Sequence, residues 1–310
     1  MNNPSHVWND STVESQGRGR TMISWGQRFY WSIRRELWES KSIYVAPLIV
    51  AGLIVFAFLI GTLHHHGKLR AALALDDGLA QQSAIEEPYH LAALLLMGTT
   101  FIVALFYCLD ALHGERRDRS ILFWKSLPVS DLTTVLSKFA IPLFILPLVT
   151  FAITMVTQWI MLLLGMAIAL GSGLSVATWW NRVPLFQMSL GLFFHLMAGH
   201  GLYYAPIYGW LLLVSAWARR AAVLWAALPL VAIGVIEKVA FNSTRFASLL
   251  GERIGGGTAG AAFPGSGNVP MHAAHIHSAF LISLDLWIGL ALAAIFIAAA
   301  VRLRRYQGPI

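Results

Sequence analysis

Six stretches of this sequence are apolar for twenty residues or more: 43–63, 89–111, 135–170, 185–217, 221–240 and 279–301. A bilayer core takes roughly 20 apolar residues in helical form. Inside that core every backbone N–H and C=O must be paired within the segment, so the spacing predicts α-helices and excludes open sheets. Four of the stretches are near the minimum spanning length and predict one crossing each. The third and fourth hold more than thirty residues, which is too short for a hairpin of two spans, so each reads as one long tilted helix. Pro142 and Pro147 are placed to kink the third. Gly199-His200-Gly201 and Pro206 allow a break or re-entrant stretch in the fourth.

Composition supports a lipid-embedded chain. Hydrophobic residues make up 57% and charged residues 12%, where a soluble domain carries about a quarter charged. The net charge of +7 does not indicate nucleic acid. Lys and Arg fall in short clusters between apolar runs, with no basic stripe. With six crossings, 16 of the 22 basic residues fall on one side and 6 on the other. The richer side is expected to be cytoplasmic and to hold both termini. A seven-span reading breaks that alternation. The single cysteine, Cys108, excludes a disulfide framework and a cysteine-based zinc site.

Residues 1–21 are polar, lack the apolar core of a signal peptide, and are expected to form a disordered cytoplasmic tail, with Met22 a candidate natural start. The rest, 22–310, reads as one membrane domain. Trp25, Phe29, Ile33 and Leu37 recur every four residues, and Arg28, Arg34 and Arg35 lie elsewhere. That pattern predicts an amphipathic helix with its aromatics in the inner interface; the plainer alternative is a cytoplasmic extension of the first span.

The loop between the second and third spans, 113–138, carries the most information. Charges come first (Glu115, Arg116, Arg117, Asp118, Arg119), then Ile121, Leu122, Phe123 and Trp124, then Leu127-Pro128-Val129-Ser130. Ser130 or Asp131 suits the N-cap of the third span. The apolar run predicts a short helix parallel to the membrane. Its Phe-Trp pair either docks in a partner groove or sits among headgroups.

Glu115-Arg116 through Ser120-Ile121-Leu122, then Ser126-Leu127-Pro128-Val129-Ser130, with Lys138 at the mouth of the next span, resembles the permease subunits of the ABC-2 (type V) exporter family. The resemblance implies an all-α fold in the bacterial inner membrane with six transmembrane helices, an N-terminal interfacial helix and a cytoplasmic coupling helix. It implies that Glu115, Arg119, Ile121, Leu122, Phe123, Trp124, Leu127 and Pro128 meet a separate ABC ATPase, and that a second permease copy completes the transporter. Asp118-Arg119 stands where many members have Gly, and Asp131 where they have a basic residue. ATP and magnesium belong to the partner ATPase: here the nearest approach to a phosphate-binding loop, Gly61 to Gly67-Lys68-Leu69, has one residue too many between its glycines and lacks the Ser or Thr. The chain is therefore expected to be no enzyme itself, to bind no cofactor, and to move an amphipathic lipid, peptide or antibiotic outward.

Other polar residues read as structural. Asp110 is placed to pair with Arg116 or Arg117, and Glu237, Lys238 and Asp285 lie near the outer face. His195 and His200 are five apart, a spacing that does not align them on an α-helix, and are expected to be hydrogen-bonded core residues. His64, His65, His66, His272, His275 and His277 cluster on outer loops and are candidate metal ligands. They leave open a different class of function, a membrane sensor or immunity protein that binds a partner without transport. No catalytic motif for an intramembrane enzyme is present.

Overall fold

The computed structural model describes residues 24–64, 78–126, 129–171, 185–254 and 283–308, with the side chains of 78–84, 169 and 171 left undescribed. The tail 1–21 and the proposed start at Met22 lie outside the described residues. Every regular element among them is a helix. Five are long and apolar enough to cross a bilayer: Ser42–His64, Ile85–Arg117, Asp131–Ile168, Ala222–Phe241 and Leu284–Tyr306. The chain is a multi-pass membrane protein.

Helix α1 (Trp25–Glu39) begins with a capping box: the Ser24 hydroxyl accepts from Gln27 N, and the Gln27 side chain accepts from Ser24 N. Helix α2 (Ser42–His64) follows after Ser40, then α3 (Gly78–Ala111) and two short helices, α4 (His113–Arg117) and α5 (Ser120–Ser126). The third expected span starts earlier than its apolar run, at α6 (Asp131–Ala140), because the Ser130 side chain caps it by accepting from Thr133 N at 3.1 Å. Pro142 then opens a π turn (Ile141–Ile145), and α7 (Leu146–Gly171) continues. Proline brings no N–H and crowds the carbonyl four residues back, so the ladder widens by one residue instead of breaking.

The fourth expected span is helical over 185–217 but built in pieces: α8 (Leu185–Phe194), a second π turn (His195–Tyr203) and α9 (Ala205–Trp217). Tyr204, two residues before Pro206, marks the interruption. The two π turns pack against each other through Gly201, where an added Cβ would lie 2.5 Å from the Leu143 carbonyl oxygen. Only a glycine permits that approach. The chain then runs through α10 (Ala222–Phe241), α11 (Arg245–Ile254) and α12 (Leu284–Tyr306).

The core is assembled from α3, α6, α9 and α12 around Tyr208, Leu212, Val135, Ile141 and Ala300. Gly209 lets α9 close onto Ala293 of α12, with 3.3 Å between a hypothetical Cβ and the Ala293 backbone. By contrast α10 presents Leu224, Leu228, Val231, Ile236 and Val239 outward. An apolar helix so little covered needs lipid or another helix around it.

Candidate functional site: a charge cluster at one end of the bundle

Six charged side chains from four separate elements converge beneath the bundle. Arg35 and Glu36 come from α1, Glu115 from α4, Asp131 and Lys138 from α6, and Arg304 from the end of α12. Lys138 Nζ lies 2.9 Å from Glu36 and 3.2 Å from Glu115. Arg304 donates to Glu115 at 2.7 Å and to Asp131 at 3.0 Å. Arg35 reaches both Glu36 and Glu115. The Tyr107 hydroxyl donates to Glu36 at 3.0 Å.

These six groups are three cations and three carboxylates, so the set is formally neutral, with the exposed Glu39 3.7 Å from Arg35 at its edge. That balance matters because Glu36, Lys138, Arg304 and Glu115 are all buried. A buried ion tolerates the loss of water only when its partners and hydrogen bonds are complete. Burial alone would raise the Glu36 carboxyl. Lys138 and then Arg35 outweigh it and hold the group below its ordinary value.

The short loop helix is tied into this cluster. The Arg35 guanidinium carbon lies over the Trp124 ring, 3.9 Å from its centroid, and Trp124 meets Phe123 edge-on at 4.9 Å. Ile121 is 2% exposed and packs inward, whereas Leu122 and Phe123 are both 59% exposed. Arg119 is exposed and holds a left-handed backbone, φ 59°, which turns the chain between α4 and α5. The segment is also fastened to the chain end, because Lys125 donates to the Gln307 carbonyl at 3.0 Å and Arg116 to that of Gly308 at 3.4 Å. Arg116 further donates to the Ala216 and Ala218 carbonyls at the C-terminus of α9, where a cation offsets the helix dipole.

The surface this loop offers is therefore narrower than the sequence reading. Glu115 and Ile121 are turned into the protein, and Trp124 is covered by Arg35. Arg119, Leu122 and Phe123 remain outward, and Leu127 and Pro128 lie outside the described residues. Asp110 pairs with Arg117 at 3.9 Å and not with Arg116.

Sequence reasoning missed the cluster itself. Its one visible signal was Glu36, an acid set between Ile33 and Leu37 on the stripe expected to be apolar. The C-terminal half of that stripe turns toward the protein. Ile33 and Leu37 pack on the bundle core, while Trp25, Tyr30, Trp31 and Trp38 project outward. Burying Glu36 against Lys138 requires Ile33 and Leu37 to face the protein.

Two further expectations change in three dimensions. A π turn bonds residue i to i+5 and holds more residues per turn than an α-helix, so residues five apart come nearer to one face. This brings the His195 and His200 rings to 6.0 Å. His200 is buried with neither ring nitrogen hydrogen-bonded, against the expectation of a bonded core histidine. At the C-terminal end of α10, Glu237 accepts from Ser243 Oγ, Arg245 N and Phe246 N and so starts α11. Arg253 of α11 then pairs with Asp285 at 2.7 Å and lies over the Tyr203 ring. These are structural roles, as expected for Glu237 and Asp285.

Among the described residues no group of three or more His, Cys, Asp or Glu is placed to hold a metal ion. Of the outer histidines only His64 is described; His65, His66, His272, His275 and His277 lie outside. Comparison with family models, curated proteins and solved structures returned no match to this chain.

Proposed function

We propose that this protein is the membrane-spanning subunit of an ATP-driven exporter, with six crossings, both ends in the cytoplasm, and a separate ATPase docking on α5. The observation that carries this reading is the mechanical continuity beneath the bundle. A force applied at exposed Leu122 and Phe123 acts through Trp124 on Arg35, and through Glu115 on Lys138 and Arg304. It thereby reaches α1, α6 and α12 together. A segment that only anchored a loop among headgroups would not need an inward face bonded to three other helices.

In this reading α8, the second π turn and α9 form the remaining crossing. Two copies of the chain face each other across a pathway for an amphipathic cargo, and ATP and magnesium stay on the ATPase. The sixteen-to-six bias of basic residues supports the orientation.

The test is co-purification with the product of a neighbouring reading frame that carries a phosphate-binding loop. Phe123→Asp and Leu122→Asp are expected to leave the melting temperature unchanged and abolish both the complex and stimulated ATP hydrolysis. Full coupling in the double variant, or normal function with no ATPase present, favours the sensor or immunity reading instead.

A further inference from the structure

The outward face of α1 carries an arrangement that the charge cluster does not use. Trp31, Arg34 and Trp38 are three and four residues apart, so they stand on successive turns of one helical face. The Arg34 guanidinium carbon lies 5.1 Å from the Trp31 ring centroid and 5.0 Å from that of Trp38. Both distances are within cation–π range, so the two indoles hold the guanidinium between them. All three side chains are exposed.

Its neighbour Arg35 points inward and is paired with Glu36, Glu39 and Glu115. Arg34 has no carboxylate partner among the described residues. The result is a cation of fixed orientation with its charge uncompensated, framed by indoles. Tyr30, edge-on to Trp31 with ring centroids 5.7 Å apart, extends the aromatic face, and Lys41, exposed just beyond the helix, adds a second cation.

We infer that Trp31, Arg34 and Trp38 form a clamp for the phosphate of an anionic lipid headgroup in the leaflet that contacts α1. Indole rings prefer the headgroup level, where one edge is apolar and the other wet. A guanidinium matches two phosphate oxygens with paired N–H donors, which an ammonium does not. Exposed indoles around a cation fit that layer, and the protein's surplus of positive charge favours an anionic occupant. The inference rests on the interfacial position of α1, and not on export.

The full chain in mixed phosphatidylglycerol and phosphatidylcholine is the system to use, with retained lipids counted by native mass spectrometry. The wild type is expected to retain phosphatidylglycerol preferentially. Arg34→Gln and the pair Trp31→Leu, Trp38→Leu should each lower that preference by about threefold or more, with the buried cluster intact by melting temperature. Arg302→Gln, which removes an exposed cation near the same end of α12, should leave it unchanged.

Wild-type preference in Arg34→Gln, or an equal loss in Arg302→Gln, overturns the clamp. A polarity-sensitive dye on Tyr30→Cys separates the two layers of the inference, since Cys108 is buried. Blue-shifted emission together with an unchanged lipid preference in Arg34→Gln sinks the clamp alone. Water-like emission sinks the interfacial placement as well, and shielding only on addition of an ATPase assigns this face to protein.

Discussion

The Lys138 ammonium sits 2.9 Å from one Glu36 oxygen and 3.0 Å from the other, joining the N-terminal helix to the base of the third long helix across 102 residues of sequence. Both side chains are almost completely buried. Around this pair Glu115, Arg304, Arg35 and Asp131 complete a neutral set, so removing one member leaves an uncompensated charge away from water.

Lys138→Met is therefore expected to cost about 3–5 kcal/mol, the range for breaking a buried pair from one side. Adding Glu36→Gln should recover part of that loss, because the stranded carboxylate is gone. Denaturation of the purified single and double variants measures the coupling. A Lys138→Met cost below about 1 kcal/mol would contradict burial of the pair.

Acid should weaken the fold through Glu36. Its carboxyl is held below the ordinary 4.5 because Lys138 and Arg35 outweigh the burial that would raise it. The unfolded chain binds the proton first as pH falls, so the Glu36 contribution is complete above the unfolded value and declines below it. It is lost once pH passes the depressed folded value. Melting temperature against pH should show this acid limb in the wild type and a shallower one in Glu36→Gln. An identical acid limb in the two proteins would remove Glu36 as its source.

Arg119 adopts φ 59° between α4 and α5. A side chain in that region costs about 1–2 kcal/mol that glycine avoids, and glycine gives some of this back through its freer unfolded chain. Arg119→Gly should thus raise stability by a few tenths to about 1 kcal/mol, whereas Arg119→Ala should not. Equal melting temperatures for the glycine and alanine variants would argue against backbone strain at this turn.

Gly201→Ala should be costly where Gly98→Ala is not. A Cβ at 201 would meet the Leu143 carbonyl at 2.5 Å, while one at 98 meets nothing within 4 Å. Forcing the two π turns apart is expected to cost about 1–3 kcal/mol. Gly98→Ala lies in an exposed helix interior and should be neutral or slightly stabilising. Thermal unfolding in detergent compares the two directly.

Hydrophobicity and side-chain chemistry made the helices legible. Apolar runs of spanning length place α2, α3, α10 and α12 within a few residues, except that α3 extends eleven residues before its apolar run. Ser130 was readable as a cap because its hydroxyl acts on a backbone donor three residues away. The proline at 142 marked a distortion, though not that it would take the form of a π turn.

The site was legible only in fragments. Leu122 and Phe123 declared themselves as exposed apolar residues in a charged loop. Nothing local marks Arg304 or Lys138 as partners of Glu115, because their pairing depends on where α6 and α12 end relative to α4. The inward face of α1 was not legible for the same reason: the stripe of Trp25, Phe29, Ile33 and Leu37 suits lipid or protein equally, Ile33 and Leu37 pack on the core while Trp25 stays exposed, and Glu36 is tolerated beside them only once Lys138 is in place.

What the sequence determined by itself was set by solvation. Twenty-residue apolar runs separated by basic clusters specify helices for a bilayer, whatever their arrangement. The convergence of six charges, the edge-on approach of His195 to His200 and the outward turn of Trp31, Arg34 and Trp38 were decided only by tertiary structure. Each depends on distances between elements remote in sequence, or on one extra residue per turn, and local hydrophobic pattern carries no record of either.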